Sequence, residues 1–272
     1  MKTFFLTYSD RNYENAKKFA VYMAKKFGHF DEVIAMSPSD IDKNFIEKNK
    51  NILSNKRGAG LWLWKPYIIS KVLSSLNDDD YLFYADSGCF FIRNIKNIIK
   101  NMDDDIWCCE TPLVEKEFTK RECFTKLNCI GEKYTNTPQR IATFLCVKKT
   151  SNSIHFINEW LHYCQIPELI SPCENIPPLI SHREDQSIFS LLTKKYNINA
   201  HIQPTIEGIH PEMQIYKNAT YIKQKSKINS PICLIVHKKK IVTWTLIIKK
   251  ITMLLVPSFL ISIYAKIKFR YK

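Results

Sequence analysis

Residues 78–88 read DDDYLFYADSG: three acids, a short apolar stretch, then an acid followed by turn-forming residues. Tyr81–Ala85 is rich in aromatic residues and bounded by turn formers, which is typical of a strand buried on both faces in a parallel or mixed sheet. Asp86 then lies at the carboxyl end of a strand, where open α/β sheets bind ligands, so we expect this carboxylate to meet a metal or a ligand. The alternative is that Asp86 or Ser87 caps the helix that follows.

The beginning of the chain predicts strand, helix and strand. Residues 2–8 are apolar, residues 12–27 place apolar side chains at helical spacing before Gly28, and residues 32–36 are again typical of a strand. This order opens many nucleotide-binding α/β folds. Neither G-x-G-x-x-G nor G-x-x-x-x-G-K-[ST] follows the first strand, so a dinucleotide fold and a P-loop are not supported.

A second unusual segment is KRGAGLWLWKPY, residues 56–67. Its two glycines permit close backbone approach, Trp62 and Trp64 offer flat faces, and Arg57 and Lys65 add positive charge. Aromatic faces beside cations suit a sugar or a base joined to a diphosphate. The alternative is that the tryptophans pack in the core and Lys65 is solvated.

Residues 182–192, HREDQSIFSLL, place acids at the start of an apolar helix. Glu184 and Asp185 fall in its first turn, at the positive end of the helix dipole. Acids are common there without any function. A carboxylate held beside His182 and Arg183 is also suited to act as a general base.

The rest of the first 220 residues continues the α/β pattern. Residues 106–109 and 139–147 are typical of strands, and residues 153–164 of a helix. Residues 110–137 are polar without a clear period, which predicts a long loop or small helices over the active-site side. With 272 residues, 45% of them hydrophobic, the chain has ample material for a core.

Basic charge is concentrated at the C-terminal end. The net charge is +14, but residues 221–272 contain twelve of the 40 Lys and Arg and none of the 26 acids. Residues 1–220 therefore carry only about +2, and we expect no nucleic-acid partner. The nine cysteines follow no framework, which suits reduced core thiols in a cytosolic protein. A zinc cluster is the alternative, although no C-x-x-C pair supports it; it would use Cys108, Cys109, Cys123 and Cys129.

Residues 58–69, 81–91 and 182–192, in this order and at these separations, resemble bacterial glycosyltransferases of the GT-A fold encoded with capsule and O-antigen enzymes. The resemblance covers roughly residues 1–220. It implies an α/β fold with a GT-A-like nucleotide-binding mixed sheet flanked by helices. It also implies a hexosyltransferase that moves a sugar from a nucleotide-sugar donor, commonly UDP-linked, to a lipid-linked glycan in surface polysaccharide synthesis.

The resemblance also assigns roles to residues. The first acid of the D-x-D motif maps onto Asp86 and the general base onto Asp185, beside Glu184. Asp185 would take the acceptor proton in an inverting transfer and would instead position substrate in a retaining one. A divalent metal, Mn²⁺ or Mg²⁺, would be held by Asp86 and a C-terminal histidine, His210 or His237. The second acid of the motif is replaced by Gly88, which departs from the family pattern. We expect donor contacts from the strand ends and the tryptophan-rich segment, namely from Tyr8, Ser9, Arg57, Trp64, Lys65, Asp86 and Ser87.

Residues 221–272 predict a basic amphipathic tail. Two lysines interrupt its apolar run, and the longest uncharged stretch is shorter than the roughly 20 residues that a spanning helix needs. We expect one helix, or two broken near Pro257, to lie on the anionic inner face of the cytoplasmic membrane, with a cytoplasmic, peripheral protein as the result. The alternative is that terminal helices complete the core.

The sequence is also compatible with two other classes of function. A peripheral membrane binding protein without catalysis explains the tail but leaves the tryptophan-rich and Glu-Asp-Gln segments without a role. A metal-dependent nucleotidyltransferase or phosphodiesterase would use the same strand-end acid, but it needs more clustered carboxylates for two metals.

Overall fold

The computed structural model describes residues 1–214, 216, 218–224, 226, 230–257, 259–261, 263–264 and 267. Its strands follow the alternation predicted from the sequence, with three additional short ones. They are β1 (Thr3–Tyr8), β2 (Glu32–Met36), β3 (Tyr81–Ala85), β4 (Cys89–Phe91), β5 (Ile106–Val114), β6 (Pro138–Lys148), β7 (Ala200–Ile202) and β8 (Leu234–Val236).

Helices connect these strands; three short ones lie between β2 and β3, and three more lie between β5 and β6. They are α1 (Glu14–Met23), α2 (Lys43–Lys48), α3 (Lys50–Leu53), α4 (Gly58–Leu61), α5 (Trp64–Ser75), α6 (Lys96–Lys100), α7 (Glu115–Phe118), α8 (Arg121–Lys126), α9 (Glu132–Thr135), α10 (Ser151–Cys164), α11 (Pro167–Ile170), α12 (Glu184–Lys195), α13 (Ile206–Ile209) and α14 (Trp244–Thr252). A π-helical turn (Ala24–Gly28) extends α1, and 3-10 turns occupy Arg11–Tyr13, Pro38–Asp40 and Pro211–Gln214.

The main sheet has six strands in the order β2-β1-β3-β6-β5-β7. β1 is parallel to β2 and β3, whereas β6 is antiparallel to both β3 and β5, and β7 returns parallel to β5. The predicted mixed sheet flanked by helices is therefore confirmed. β3 is the third strand of this sheet, and it pairs with β1 along one edge and with β6 along the other.

Alternate side chains of β3 enter the cores on the two faces of the sheet, as the period of a strand requires. Leu82 and Tyr84 join the larger core, which α5, α10 and α12 cover. Phe83 and Ala85 join the second core, on the face that carries β4 and β8. This two-sided burial explains why the strand reads as a continuous apolar run.

Asp86 does not cap a helix. A tight turn follows β3, in which the Cys89 N–H donates to the Asp86 carbonyl at 2.9 Å, and β4 begins at once. The next helix, α6, begins only at Lys96. The carboxylate of Asp86 is thus left at the strand end, as the binding-site interpretation required.

β8 lies inside the segment 221–272 that we interpreted as a tail. It pairs antiparallel with β4, and Cys233, Leu234 and Ile235 are buried. The part of the C-terminal segment that lies outside the core therefore begins after β8. Six of the twelve basic residues of this segment, and all of residues 268–272, lie outside the described residues; those six are Lys225, Lys227, Lys266, Lys268, Arg270 and Lys272.

α14 follows β8 and shows a large apolar surface to solvent. Trp244 is 79% exposed, and Leu255, just beyond the helix, is 80% exposed. Only one residue of α14, Ile247, is buried. In the part of the chain described, no helix combines the length and the apolar character needed to cross a membrane.

Candidate active site

A cleft of about 550 Å³ opens at the carboxyl ends of β1 and β3. The start of α12 and the segment before α5 form its other walls. Of the site residues expected from the sequence, nine line this cleft and His210 does not. The nine are Tyr8, Ser9, Arg57, Trp64, Lys65, Asp86, Ser87, Glu184 and Asp185.

Lys65 lies between the two aspartates of the cleft. Its Nζ is 3.0 Å from Asp185 Oδ2 and 3.4 Å from Asp86 Oδ1, and it donates to the Ala142 carbonyl at 3.1 Å. Tyr84 also donates its hydroxyl to Asp86 Oδ1 at 2.6 Å. Three neighbours for the three donors of an ammonium group leave Lys65 saturated inside the protein. The sequence analysis expected Lys65 to contact the donor; the structure places its ammonium group between the two carboxylates.

Charge and burial set the protonation of this group. Burial alone would lower the pKa of Lys65, but Asp185 and Asp86 outweigh it, and the pKa is raised. Burial raises the pKa of Asp185 to about 7; Lys65 opposes this rise, while the nearby Asp86 adds to it. Burial of the Asp185 carboxylate thus outweighs the attraction of the one cation that it shares with Asp86. Asp185 is therefore poised to take up a proton near neutral pH.

Glu184 adopts a left-handed backbone conformation, with φ of 43°, at the first position of α12. Its buried carboxylate accepts a hydrogen bond from Arg57 Nε at 2.6 Å. Trp160 donates its indole N–H to the Asp185 carbonyl at 3.0 Å, which holds the next residue of the turn. These contacts fix the direction in which the Asp185 side chain points from α12, which is toward Lys65.

Opposite this turn, residues 58–62 form a single left-handed turn, in which every φ lies between 50° and 103°. Left-handed geometry costs about 1–2 kcal/mol for each residue with a Cβ. Gly58 and Gly60 adopt it without that cost, and a Cβ on Gly60 would lie 2.9 Å from Leu53 Cα. Ala59, Leu61 and Trp62 do carry the strain. Strained backbone that lines a cleft suggests a functional constraint.

Aromatic stacking ties this turn to the sheet. The rings of Tyr8 and Trp64 stack with centroids 3.9 Å apart at an interplanar angle of 22°. Trp64 also donates its indole N–H to the Gly58 carbonyl at 2.9 Å. Both rings are largely buried. Tyr8 and Trp64 therefore shape the floor of the cleft, while Trp62 stands at its edge beneath the Arg57 guanidinium, 5.7 Å away.

Gly88 stands where the D-x-D motif has its second acid, and the C-terminal segment packs against this glycine. The Gly88 carbonyl accepts hydrogen bonds from the N–H groups of His237 and Lys238. A Cβ on Gly88 would lie 3.2 Å from Lys238 Cα. An aspartate would crowd this segment, whereas glycine lets Lys238 line the cleft together with Lys240. Lysines thus stand near the place where the family pattern has a carboxylate.

The residues present do not fit the divalent metal implied by the resemblance. Among the described residues, no three His, Cys, Asp or Glu side chains gather as metal ligands. Asp86 faces the Lys65 ammonium, which would repel a dication. His210 lies beside Glu212 outside the cleft lining, with 3.4 Å between Nδ1 and Oε1. His237 lines a neighbouring cavity instead.

The cysteines are free thiols in the core. All nine are described; none is in a disulfide, and only Cys173 is exposed. Burial raises the pKa of Cys108 and Cys129 to about 11 each. Cys109 and Cys123 lie near backbone carbonyls, at 3.7 Å and 3.4 Å. These positions are those of reduced core thiols and do not form the zinc cluster considered from the sequence.

Sequence reasoning missed several residues of the cleft. Lys238 and Lys240 belong to a lysine run whose composition predicted only a charged surface. Arg183 and Gln186 lie in the segment 182–192, but only the acids beside them were assigned a role. The signal that was available for the two lysines is their proximity to the apolar run of β8.

Solved glycosyltransferases share this fold. The apo form of mouse xyloside xylosyltransferase 1 matches with a TM-score of 0.50 and 8% identity, over 88% of this chain and 98% of that chain. The galactosyltransferase LgtC, crystallised in complex with donor and acceptor sugar analogs, matches with a TM-score of 0.49 and 11% identity, over 86% of this chain and 87% of that chain. At such identities the likeness shows the fold alone, and the GT-A-like fold expected from the sequence is confirmed. No protein-family model and no curated protein matches the sequence.

The strain at residues 58–62 can be measured through Ala59. We expect Ala59→Gly to raise the free energy of unfolding by about 1 kcal/mol, because glycine adopts φ of 50° without steric cost. As a control, Ala35→Gly on the exposed face of β2 should lower it by roughly 0.5–1 kcal/mol. Urea denaturation measures both. Destabilisation by Ala59→Gly equal to that of the control would contradict the strain.

Proposed function

We propose that the protein is a glycosyltransferase that moves a sugar from a nucleotide-sugar donor to a hydroxyl of a glycan acceptor. The observation that carries this proposal is the pair Asp86 and Asp185, one at a strand end and one at a helix start, joined by Lys65 in a single cleft. The glycosyltransferase fold supports the reaction class. The donor is UDP-linked in this proposal, following the sequence resemblance.

The donor diphosphate is placed against the cations of the cleft. Arg57, Lys238 and Lys240 line it and are not tied to the aspartate pair. Departure of a nucleoside diphosphate leaves negative charge, which positioned cations stabilise in the transition state. In this proposal Arg57, Lys238 and Lys240 supply the positive charge, and the reaction needs no metal ion. The face of Trp62 at the cleft edge offers a stacking surface for the base or the sugar.

Asp185 acts as the general base. As the acceptor oxygen forms its bond to the anomeric carbon, the bond from that carbon to the diphosphate oxygen breaks, and the hydroxyl proton passes to Asp185. A pKa of about 7 leaves a substantial ionised fraction at neutral pH and makes the carboxylate basic enough to accept the proton. Asp86, closer to solvent, orients the donor sugar, and Lys65 holds both carboxylates in position.

We further propose that the acceptor is lipid-linked and that the protein docks on an anionic membrane surface at the cytoplasmic face. Exposed apolar side chains of α14 and the residues after it stand beside the lysine run 238–240. Apolar area buried in the interface and attraction to anionic headgroups reinforce each other. A docked enzyme would meet the glycan where its lipid holds it, as surface polysaccharide synthesis requires.

The nucleotidyltransferase or phosphodiesterase alternative is less well supported. Two-metal phosphoryl chemistry needs clustered carboxylates, and the described residues gather no such cluster. A binding protein without catalysis would leave unexplained why Asp185 and Lys65 are buried together in the cleft, since burying such charges is costly.

Nucleotide binding tests the donor site. We expect UDP to raise the thermal midpoint in the presence of EDTA, because the cleft supplies its own cations. Lys238→Ala should weaken UDP binding about tenfold or more, the range for a hydrogen bond to a charged group. The control Lys239→Ala, an exposed neighbour that does not line the cleft, should not. GDP, CDP and dTDP are measured alongside. A shift that requires Mn²⁺, or no shift with any of the four, would contradict the proposal.

The pH dependence of transfer tests Asp185. Because the base must be ionised, we expect kcat/KM to rise tenfold per pH unit below about 7 and to level off above it. Lys65→Met removes the cation that opposes protonation, so the inflection should move to higher pH. Asp185→Asn should lower transfer by at least about 100-fold.

The matched control for these variants is Asp103→Asn, an exposed carboxylate outside the cleft, which should leave the profile unchanged. A wild-type profile without an inflection between pH 6 and pH 8, or near-normal turnover by Asp185→Asn, would remove Asp185 from the role of base.

Vesicle partition tests docking. We expect the full chain to bind vesicles containing phosphatidylglycerol, less so at high salt. The double variant Trp244→Ser, Leu255→Ser should bind several-fold more weakly, since both side chains are largely exposed. Ile130→Ser, an apolar side chain 70% exposed in another part of the protein, is the control. Equal binding by the double variant and the control would refute docking through α14.

A further inference from the structure

A second cavity of about 300 Å³ adjoins the donor cleft. The two cavities are neighbours, because both are lined by Thr143, Arg183, Gln186, Val236 and Lys238. Arg183 and Gln186 flank Asp185 at the start of α12. A molecule held in the second cavity would thus lie against the two residues that flank the proposed general base.

The charge of this cavity is positive. Among the described residues that line it, Arg183, Lys238 and Lys250 are cations and Glu207 is the acid. Lys250 lies 3.3 Å from Glu207, so that pair is internally neutral. The remaining net charge favours an anion.

His237 adds an unused hydrogen-bond donor. Its Nδ1 accepts the Lys239 N–H at 3.1 Å, and burial lowers its pKa to about 4. The ring is therefore neutral near pH 7, with its proton on Nε2. Nε2 is buried and has no hydrogen-bond partner within the described protein. A buried donor left unpaired is costly, and a ligand oxygen would recover that cost.

Tyr216 gives the cavity an aromatic face. The Arg183 guanidinium lies 4.6 Å from the centre of the Tyr216 ring and 5.0 Å from that of Phe118. The Arg183 Nε is buried without a hydrogen-bond partner among the described residues. An aromatic face beside polar donors suits a sugar ring, whose two faces are apolar and whose rim carries hydroxyls.

Lys250 connects the cavity with the surface proposed for membrane docking. It belongs to α14, whose other face carries the exposed Trp244. A ligand that extends past Lys250 would therefore leave the cavity toward α14.

We infer that the second cavity binds a glycosyl phosphate, the sugar and adjoining phosphate of the acceptor. The inference rests on the proposed function, since it supplies the acceptor side of the same transfer. The sugar ring packs on Tyr216 and accepts a hydrogen bond from His237 Nε2, while the phosphate meets Lys250. Lys238, which lines both cavities, lies between this phosphate and the donor diphosphate. An acceptor hydroxyl then points along the shared wall toward Asp185. A lipid attached to the phosphate would continue along α14.

Calorimetry with soluble probes tests this site on the full chain. The probes are hexose 1-phosphates and N-acetylhexosamine 1-phosphates, each compared with the same sugar without phosphate, at saturating UDP. We expect at least one 1-phosphate to bind with UDP present, and to bind about tenfold or more tightly than its parent sugar. Lys250→Ala and Tyr216→Ala should each weaken it about tenfold. Lys249→Ala, an exposed neighbour on α14, should change it less than twofold.

Three outcomes would decide against the site. Displacement by UDP would place the 1-phosphate in the donor cleft, and equal effects of the Lys250 and Lys249 variants would show surface attraction only. Absence of binding by every probe would also overturn the inference. The decyl diphosphate ester of the same sugar identifies the natural ligand. If it binds more tightly than the 1-phosphate, the ligand is lipid-linked; if it binds equally, the ligand is a free sugar phosphate. Failure of the donor proposal can be told apart from failure of this inference, because it would appear as the absence of nucleotide binding.

Discussion

The ion pairs of Lys65 with Asp86 and Asp185 are the interaction on which the site depends. They join three elements that are distant in sequence: α5, the end of β3 and the start of α12. Without the ammonium, two carboxylates would face one another in a largely buried setting, and each would resist ionisation. Buried ion pairs add little net stability compared with apolar packing. The arrangement is therefore better explained by the protonation state it gives Asp185 than by stability.

The C-terminal segment completes the cleft at a place where the sequence pattern is interrupted. β8 pairs with β4, directly after the turn that holds Asp86, and this pairing carries Lys238 to the Gly88 backbone. Gly88 and Lys238 therefore depend on each other, because the absence of a side chain at residue 88 leaves room for the lysine backbone. The absence of a carboxylate at residue 88 and the presence of Lys238 in the cleft both favour an anionic ligand.

Local patterns predicted much of the molecule. β3 and α12 were predicted because an apolar run with turn formers, and an apolar helix with acids in its first turn, need no distant partner to be recognised. The residues at their ends, Asp86 and Asp185, follow directly. β8 was not predicted, because a three-residue strand acquires its identity only through pairing with β4, far away in sequence. Its burial also moved the boundary of the tail beyond residue 220.

The left-handed turn at residues 58–62 could not be predicted for a different reason. The two glycines indicated close backbone approach, but Ala59, Leu61 and Trp62 adopt φ values that their side chains disfavour. Only tertiary contacts enforce such a conformation. Arg57, the residue before this turn, is bound to Glu184, which is itself left-handed, so the two strained segments hold one another across the cleft. Strain of this kind persists where the surroundings over-determine it. The cleft is thereby preformed, and a ligand that binds it avoids the cost of ordering its walls.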